Sequence, residues 1–328
     1  MNEHAHPHTP TPDPGNSTLG YYEIMETAVR ELLVAKQVVG ADEIRRMLEV
    51  MDSRTPALGA KVVARAWVDP EFRARLLANG RAAVGELGID LFENTELIVL
   101  ENTDKVHNLI VCTLCSCYPR EVLGLPPDWY KLKPYRARAV KEPRAVLAEF
   151  GTVIPDDVEV RVSDSISMVR YLVLPQRPPN TENFSEEQPA SLVTRDAMIG
   201  RGQSQHASGN GENAMTQTEN LLRQLPTELG GLDAGPVERV EHEYLPWEKR
   251  CHALANVLDI HKIVNTEEKR RGIESLGGEV VGKLTYYERW IVAFANILFQ
   301  KQILTPDELA RKMEEVSSRP SGDLVRCG

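Results

Sequence analysis

No run of apolar residues in this 328-residue chain approaches the roughly 18–20 that a membrane-crossing helix needs, so the reading contains no membrane. The N-terminal segment, MNEHAHPHTPTPDPGNS, has no apolar core of the kind a secretory leader carries, and the expected location is the cytoplasm. Positive charge is not in excess either. With 38 Lys and Arg against 48 Asp and Glu, the formal net charge is −10, which argues against a nucleic-acid partner. No internal repeat is visible. Cysteine is scarce, five residues in all, and three of them fall within Cys112–Cys117 while Cys251 and Cys327 stand alone. An odd count with such crowding does not read as a disulfide framework. In a reducing compartment it suggests a metal or redox site.

What is present suffices for a sizeable core: 42% of the residues are hydrophobic, and the length fits two folding units. Residues 1–18, rich in Pro, His and Thr, read as a disordered tail, in which His4, His6 and His8 alternate as a solvated face or a stray-metal site. Gly20 to Gly88 is helical in pattern, with Ile24, Val29, Leu32, Leu33 and Ala35 at helical spacing. Asp69-Pro70 is a helix start and Gly88 the stop. Strands are expected at Glu96–Leu100, Leu109–Cys112, Val158–Val162 and Val169–Leu174, with a Pro-rich loop over 124–134 and a short helix near Pro143–Phe150. The polar, Gly/Ser/Asn-rich stretch 201–216 reads as a linker. Helices follow at Trp247–Leu258, Glu267–Leu276, Tyr286–Gln300 and Pro306–Val316, the last opened by a Thr305/Glu308 capping box. The expected fold class is α+β: a layered α/β domain with N-terminal helices, then an all-α domain.

The segment Val111-Cys112-Thr113-Leu114-Cys115-Ser116-Cys117-Tyr118-Pro119 follows directly on an expected strand. Thiolates at i, i+3 and i+5 in a tight loop can converge on one centre, with the backbone amides between Cys115 and Cys117 beside it. Three sulfurs and two amide nitrogens would leave one position open for catalysis. Deprotonated amides call for a strongly polarising, low-spin trivalent ion rather than zinc. The spacing alone also suits part of an iron–sulfur or structural zinc site, although neither Cys251 nor Cys327 has partner spacing.

VCTLCSCYP, with LGLPPDWYK, PYRARAV, EPRAVLAEFG and YLVLPQRP after it, resembles the metal-binding α chain of nitrile hydratases and the matching chain of thiocyanate hydrolases over about residues 20–200. The resemblance implies that Cys112, Cys115 and Cys117 supply sulfurs and that Ser116 and Cys117 supply amide nitrogens. Cys115 and Cys117 would be oxidised to sulfinic and sulfenic forms. Thr113, where iron members have Ser, implies non-corrin Co(III), with Fe(III) as the alternative.

The stretch 230–316 resembles the N-terminal, helical half of the family's β chain, on GGLDAG, the Arg-Arg-Gly-Ile-Glu run at 270–274 and Tyr286-Tyr287-Glu288-Arg289-Trp290. The chain then divides into a tail (1–18), an α-type domain (19–205), a linker (206–229) and a β-type helical domain (230–328). The family's small SH3-like barrel is not in this sequence, which implies a separate small β-type subunit, a higher hetero-oligomer and a cobalt-loading activator protein. The resemblance gives catalytic roles to Cys117, to Arg270 as a partner of oxidised cysteine oxygens, and to Tyr286 beside the substrate. Arg120 stands three residues after Cys117, where many nitrile hydratases have Trp. With Arg271, Arg289 and Trp290 it forms an expected substrate pocket whose charge suits thiocyanate, a neutral nitrile being the alternative. A non-catalytic metal-binding or redox-sensing subunit is the reading from a different class.

Overall fold

The structure, a computed structural model, describes residues 20–92, 95–181, 190–202, 228–239 and 241–319. The expected tail, 1–18, and most of the expected linker lie outside the described residues.

Five helices open the fold: α1 (Tyr21–Ala35), α2 (Ala41–Ser53), α3 (Pro56–Val68), α4 (Pro70–Ala78) and α5 (Gly80–Glu86). The Asp69 side chain accepts from the Glu71 and Phe72 amides, both at 3.0 Å, and so caps α4. Asn79 then divides what reads in sequence as one helix, ending α4 and capping α5 through the Ala82 amide. Strands β1 (Glu96–Glu101), β2 (Val106–Val111), β3 (Glu159–Asp164) and β4 (Val169–Leu174) form two parallel pairs, β1 with β4 and β2 with β3. β2 starts three residues before the aliphatic run because its polar residues are buried and bonded. His107 Nε2 donates to the Gly200 carbonyl at 2.6 Å, and the Asn108 amide group donates to Glu101 O and Asn102 Oδ1.

Between β2 and β3 come α6 (Arg120–Leu123), α7 (Asp128–Lys131), α8 (Lys133–Arg138) and α9 (Pro143–Glu149), so the Pro-rich stretch is made of short helical turns. α10 (Arg195–Ile199) ends at Gly200, whose φ is +87°. A Cβ there would meet Asn108 O at 1.9 Å. Gly200→Ala is therefore expected to lower stability by roughly 2–5 kcal/mol, from left-handed backbone cost plus overpacking. The urea midpoint would report it, and an unchanged midpoint would contradict the packing.

The second half is helical: α11 (Pro246–Ile260), α12 (Thr266–Glu274), α13 (Gly278–Lys283), α14 (Tyr286–Gln300) and α15 (Pro306–Ser317). The Thr305/Glu308 capping box is formed, with reciprocal bonds of 2.8 and 3.2 Å. No helix among the described residues is long and apolar enough to cross a membrane.

Two hydrophobic cores result. One gathers α3–α5, the strands and an aromatic cluster of Tyr118, Trp129, Tyr130 and Tyr135, all buried. The other joins α1 and α2 to α11, α14 and α15, through residues such as Val29, Leu33, Leu254, Ile291 and Leu298. The N-terminal helices thus pack with the second half of the chain. Fully buried Glu26 fastens that contact, accepting from Arg30 at 2.9 Å and Arg250 at 3.0 Å. The cysteine loop also reaches the second half, where Ser116 Oγ lies 3.0 Å from the Tyr286 hydroxyl at the start of α14.

Candidate metal centre

β2 ends at Val111, in register with Asp164 at the end of β3, so the loop after β2 leaves from the carboxyl ends of two parallel strands. That register sets Asp164 against the loop. The Thr113 amide donates to Asp164 Oδ1 at 3.0 Å and its hydroxyl to Oδ2 at 2.5 Å, with Glu228 a further 3.2 Å contact of the hydroxyl. Other groups fix the loop carbonyls. Buried Arg136 donates to Cys112 O at 3.0 Å and Thr113 O at 2.6 Å. Tyr130 OH donates to Cys117 O at 2.8 Å, and the Leu229 amide to Thr113 O at 3.0 Å.

So held, the three thiols converge. Cys115 Sγ is 3.6 Å from Cys112 Sγ and 3.0 Å from Cys117 Sγ, and all three lie within 4.8 Å of one another. Ser116 takes the left-handed conformation, φ +62°, which folds the loop back on itself. The Cys115 amide points at Cys112 Sγ, 3.2 Å away. Among the described residues the Ser116 and Cys117 amides donate to no acceptor, although both residues are buried. Unengaged buried amides are rare. Two of them beside three thiols match the donor set that a trivalent cobalt or iron ion would take. The sulfurs already differ in character: contacts from Cys112 and Cys115 hold Cys117 well below the ordinary thiol range, and contacts from Cys112 and Cys117 push Cys115 well above it.

Removing the carboxylate behind Thr113 tests the support. Asp164→Ala is expected to weaken metal retention by about 10–100-fold, the cost of losing an outer partner of a metal site. Competition with a chelator would measure it, and wild-type retention would exclude the role.

A cleft opens over Cys115, lined by Leu114, Lys269, Arg270, Ile273, Tyr286, Arg289 and Trp290 among others. The Tyr286 hydroxyl lies 3.0 Å from Ser116 Oγ, which also bonds Cys115 O at 2.5 Å, and burial keeps the Tyr286 proton on far above neutral pH. Arg289 anchors to Leu284 O at 2.8 Å. Arg270 enters the cleft with its guanidinium paired to Glu267 and Glu274. Arg271 does not line the cleft. Its side chain is 72% exposed and pairs with Glu267 at 3.1 Å. Nor does Arg120, whose guanidinium bonds His252 in a second cleft.

Lys269 is a residue to which the sequence reading gave no role. It is half-buried, with Nζ 3.5 Å from the centroid of the Trp290 ring. Burial and then Arg120 bring its pKa down to about 8, against the upward pull of Cys115 and Cys117. The available signal was helical: Lys269 and Ile273 are one turn apart and share the cleft-facing side of α12.

Comparison with known proteins agrees with the loop. Residues 20–202 match the nitrile hydratase alpha chain family, and residues 224–326 match the nitrile hydratase beta subunit N-terminal family. A low-molecular weight cobalt-containing nitrile hydratase subunit alpha of Rhodococcus rhodochrous is 57% identical over 53% of this chain and 84% of its own length. Thiocyanate hydrolase subunit gamma of Thiobacillus thioparus is 38% identical over 58% of this chain and 82% of its own. Among solved structures, a recombinant thiocyanate hydrolase comprising partially-modified cobalt centers superposes with a TM-score of 0.54 at 36% identity, covering 61% of this chain and 100% of that one. The chain belongs to the nitrile hydratase family of enzymes, and it joins an α-type unit to the N-terminal part of a β-type unit.

Proposed function

We propose that the chain carries the cobalt centre of an enzyme that adds water to a C≡N bond, with thiocyanate as the substrate, converted to carbonyl sulfide and ammonia. The observation that carries the choice of substrate is Lys269, a half-buried cation in the cleft over Cys115, with Arg289 and Arg270 lining the same space. An anion loses several kcal/mol of hydration on entering such a cleft unless positive charge meets it. A neutral nitrile gains nothing from that charge.

Cys112, Cys115 and Cys117 would hold the ion through sulfur, and Ser116 and Cys117 through their amides. Once bound, Co(III) would supply Lewis acidity at the base of the cleft. The remaining roles fall to side chains. Lys269 and Arg289 hold the anion's charge. Tyr286, which keeps its proton, serves as a hydrogen-bond donor to the reacting group and not as a base. Ser116 has one hydroxyl proton for two neighbouring acceptors, Cys115 O and Tyr286 OH, and only when it donates to Tyr286 OH is the Tyr286 proton left for the reacting group. Trp290 and Ile273 wall out water.

Nitrile hydration to an amide is the second reading. It is favoured by the 57% identity to a cobalt-containing nitrile hydratase subunit and by the apolar walls Leu114, Ile273 and Val281. Activity on either substrate is expected to need a separate SH3-like β-type subunit, a cobalt-loading protein and assembly into a hetero-oligomer, in the cytoplasm. The deciding experiment takes the complete complex and measures bound cobalt, ammonia and carbonyl sulfide from thiocyanate, and amide from small nitriles. Amide without carbonyl sulfide would select the second reading, and neither product would defeat both.

A further inference from the structure

One wall of the cleft over Cys115 comes from a residue that the sequence reading counts with the linker. Leu229 lines that cleft, and with Leu114, Ile273 and Val281 it makes up the aliphatic part of the lining. The four have different supports. Leu114 belongs to the cysteine loop, Ile273 to α12 and Val281 to α13, whereas Leu229 lies outside any helix or strand. What fixes Leu229 is the cysteine loop. Its amide donates to Thr113 O at 3.0 Å, and the Thr113 hydroxyl lies 3.2 Å from the Glu228 carboxylate. On the other side the Gly231 amide donates to Ala137 O, in α8, at 2.8 Å.

The turn that presents Leu229 is dictated locally. The Leu232 amide closes back on Leu229 O at 3.2 Å, and Gly231, third in the turn, has φ +72°, the position and sign that call for glycine. Gly230 brings the turn onto the loop. A Cβ there would stand 3.1 Å from Thr113 Cγ2 and 3.3 Å from Thr113 Cβ, so the turn lies directly on the Thr113 side chain. Thr113 is itself held by Asp164 and Arg136. The second residue of the cysteine loop thus seats a wall of the cleft. The space behind that wall is small: about 70 Å³, against the roughly 10–15 Å³ that a single water needs. Thiocyanate, or a nitrile carrying a methyl or ethyl group, fits such a space, and a benzene ring does not. Of the four aliphatic side chains, Leu229 is the one carried by neither a helix nor the ligand loop, so its size can change without moving a metal ligand or a helix.

We propose that Leu229 is a specificity-determining residue, seated on Thr113, which limits the cleft to substrates with a small group beside the reacting carbon. The inference deepens the C≡N reading and rests on it for turnover, whereas the wall itself does not. The test compares the complete complex as wild type, Leu229→Ala and Leu229→Phe, with propionitrile and benzonitrile as substrates and equilibrium dialysis of benzamide, an unreactive amide, as a measure of binding alone. Leu229→Ala is expected to raise the ratio of kcat/KM for benzonitrile over propionitrile by roughly 10–200-fold, the range for a change of a methylene or so in an apolar pocket, with metal content unchanged. It should tighten benzamide binding in parallel. Leu229→Phe fills the same space and should lower kcat/KM for propionitrile, which keeps the test open if Leu229→Ala fails to assemble. Gly230→Ala, which leaves Leu229 intact but presses on Thr113, should also move the ratio, and an unmoved ratio there overturns the seating by Thr113. Unchanged ratios and benzamide binding in both Leu229 variants overturn the wall. So does an equal loss on both nitriles, which would mark a purely structural effect. If benzamide binding follows the size of residue 229 yet no nitrile or thiocyanate is turned over, the C≡N reading fails and the wall stands.

Discussion

Replacing Cys112 by Ser is expected to give a folded protein whose affinity for cobalt has fallen by more than about 100-fold, beyond the range for outer partners, with turnover at background. The argument starts from burial. Cys112 is fully buried at the end of β2, and Ser is close to it in size, so neither the core nor the β2–β3 pairing is disturbed. The Cys115 amide, now 3.2 Å from Sγ, can donate to the serine oxygen instead. What changes is the donor. A hydroxyl does not ionise near neutral pH and is a harder ligand than thiolate, so one of three converging sulfurs is lost without replacement. Circular dichroism should match wild type while metal analysis and the visible absorption band show the loss. A variant that stays fully loaded and active would mean that the three sulfurs do not bind one ion, and the proposed function would go with them.

The parts of the molecule legible in sequence are those set by local chemistry. Asp69-Pro70 and Thr305/Glu308 announce helix starts because capping depends on residues three apart, and both caps form. The cysteine loop is local in the same sense, since its thiols lie within six residues. Less legible is whatever depends on distant partners. Asn79 breaks a helix because its side chain offers the backbone another acceptor. The early start of β2 depends on Gly200, 93 residues from His107. Arg136, which holds two carbonyls of the loop, lies in PYRARAV, a motif that carries the family resemblance without disclosing its contacts. Arg120 is the instructive case. Spacing puts it three residues after Cys117, but the chain turns at Pro119 into α6, and the guanidinium meets His252, 132 residues away. No pattern within the first half of the chain contains that partner.

Lys269→Met is expected to lower kcat/KM for thiocyanate by roughly 10–150-fold, the equivalent of about 1.5–3 kcal/mol for a hydrogen bond to a charged group. Amide formation from a neutral nitrile should change by less than about threefold, because an uncharged substrate loses no such bond. The Met side chain keeps the apolar stem packed against Trp290, so loss of charge is separated from loss of volume. The pH profile gives an independent check. With its pKa brought down to about 8, Lys269 is cationic below that value and neutral above it. Thiocyanate kcat/KM should therefore fall as pH rises through about 8 in the wild type, and this limb should be missing in Lys269→Met. Arg270 and Arg289 stay charged throughout that range, so they set the activity that survives above it. Should both substrates lose the same factor in Lys269→Met, the cation would be supporting the cleft and not reading the charge of what enters it.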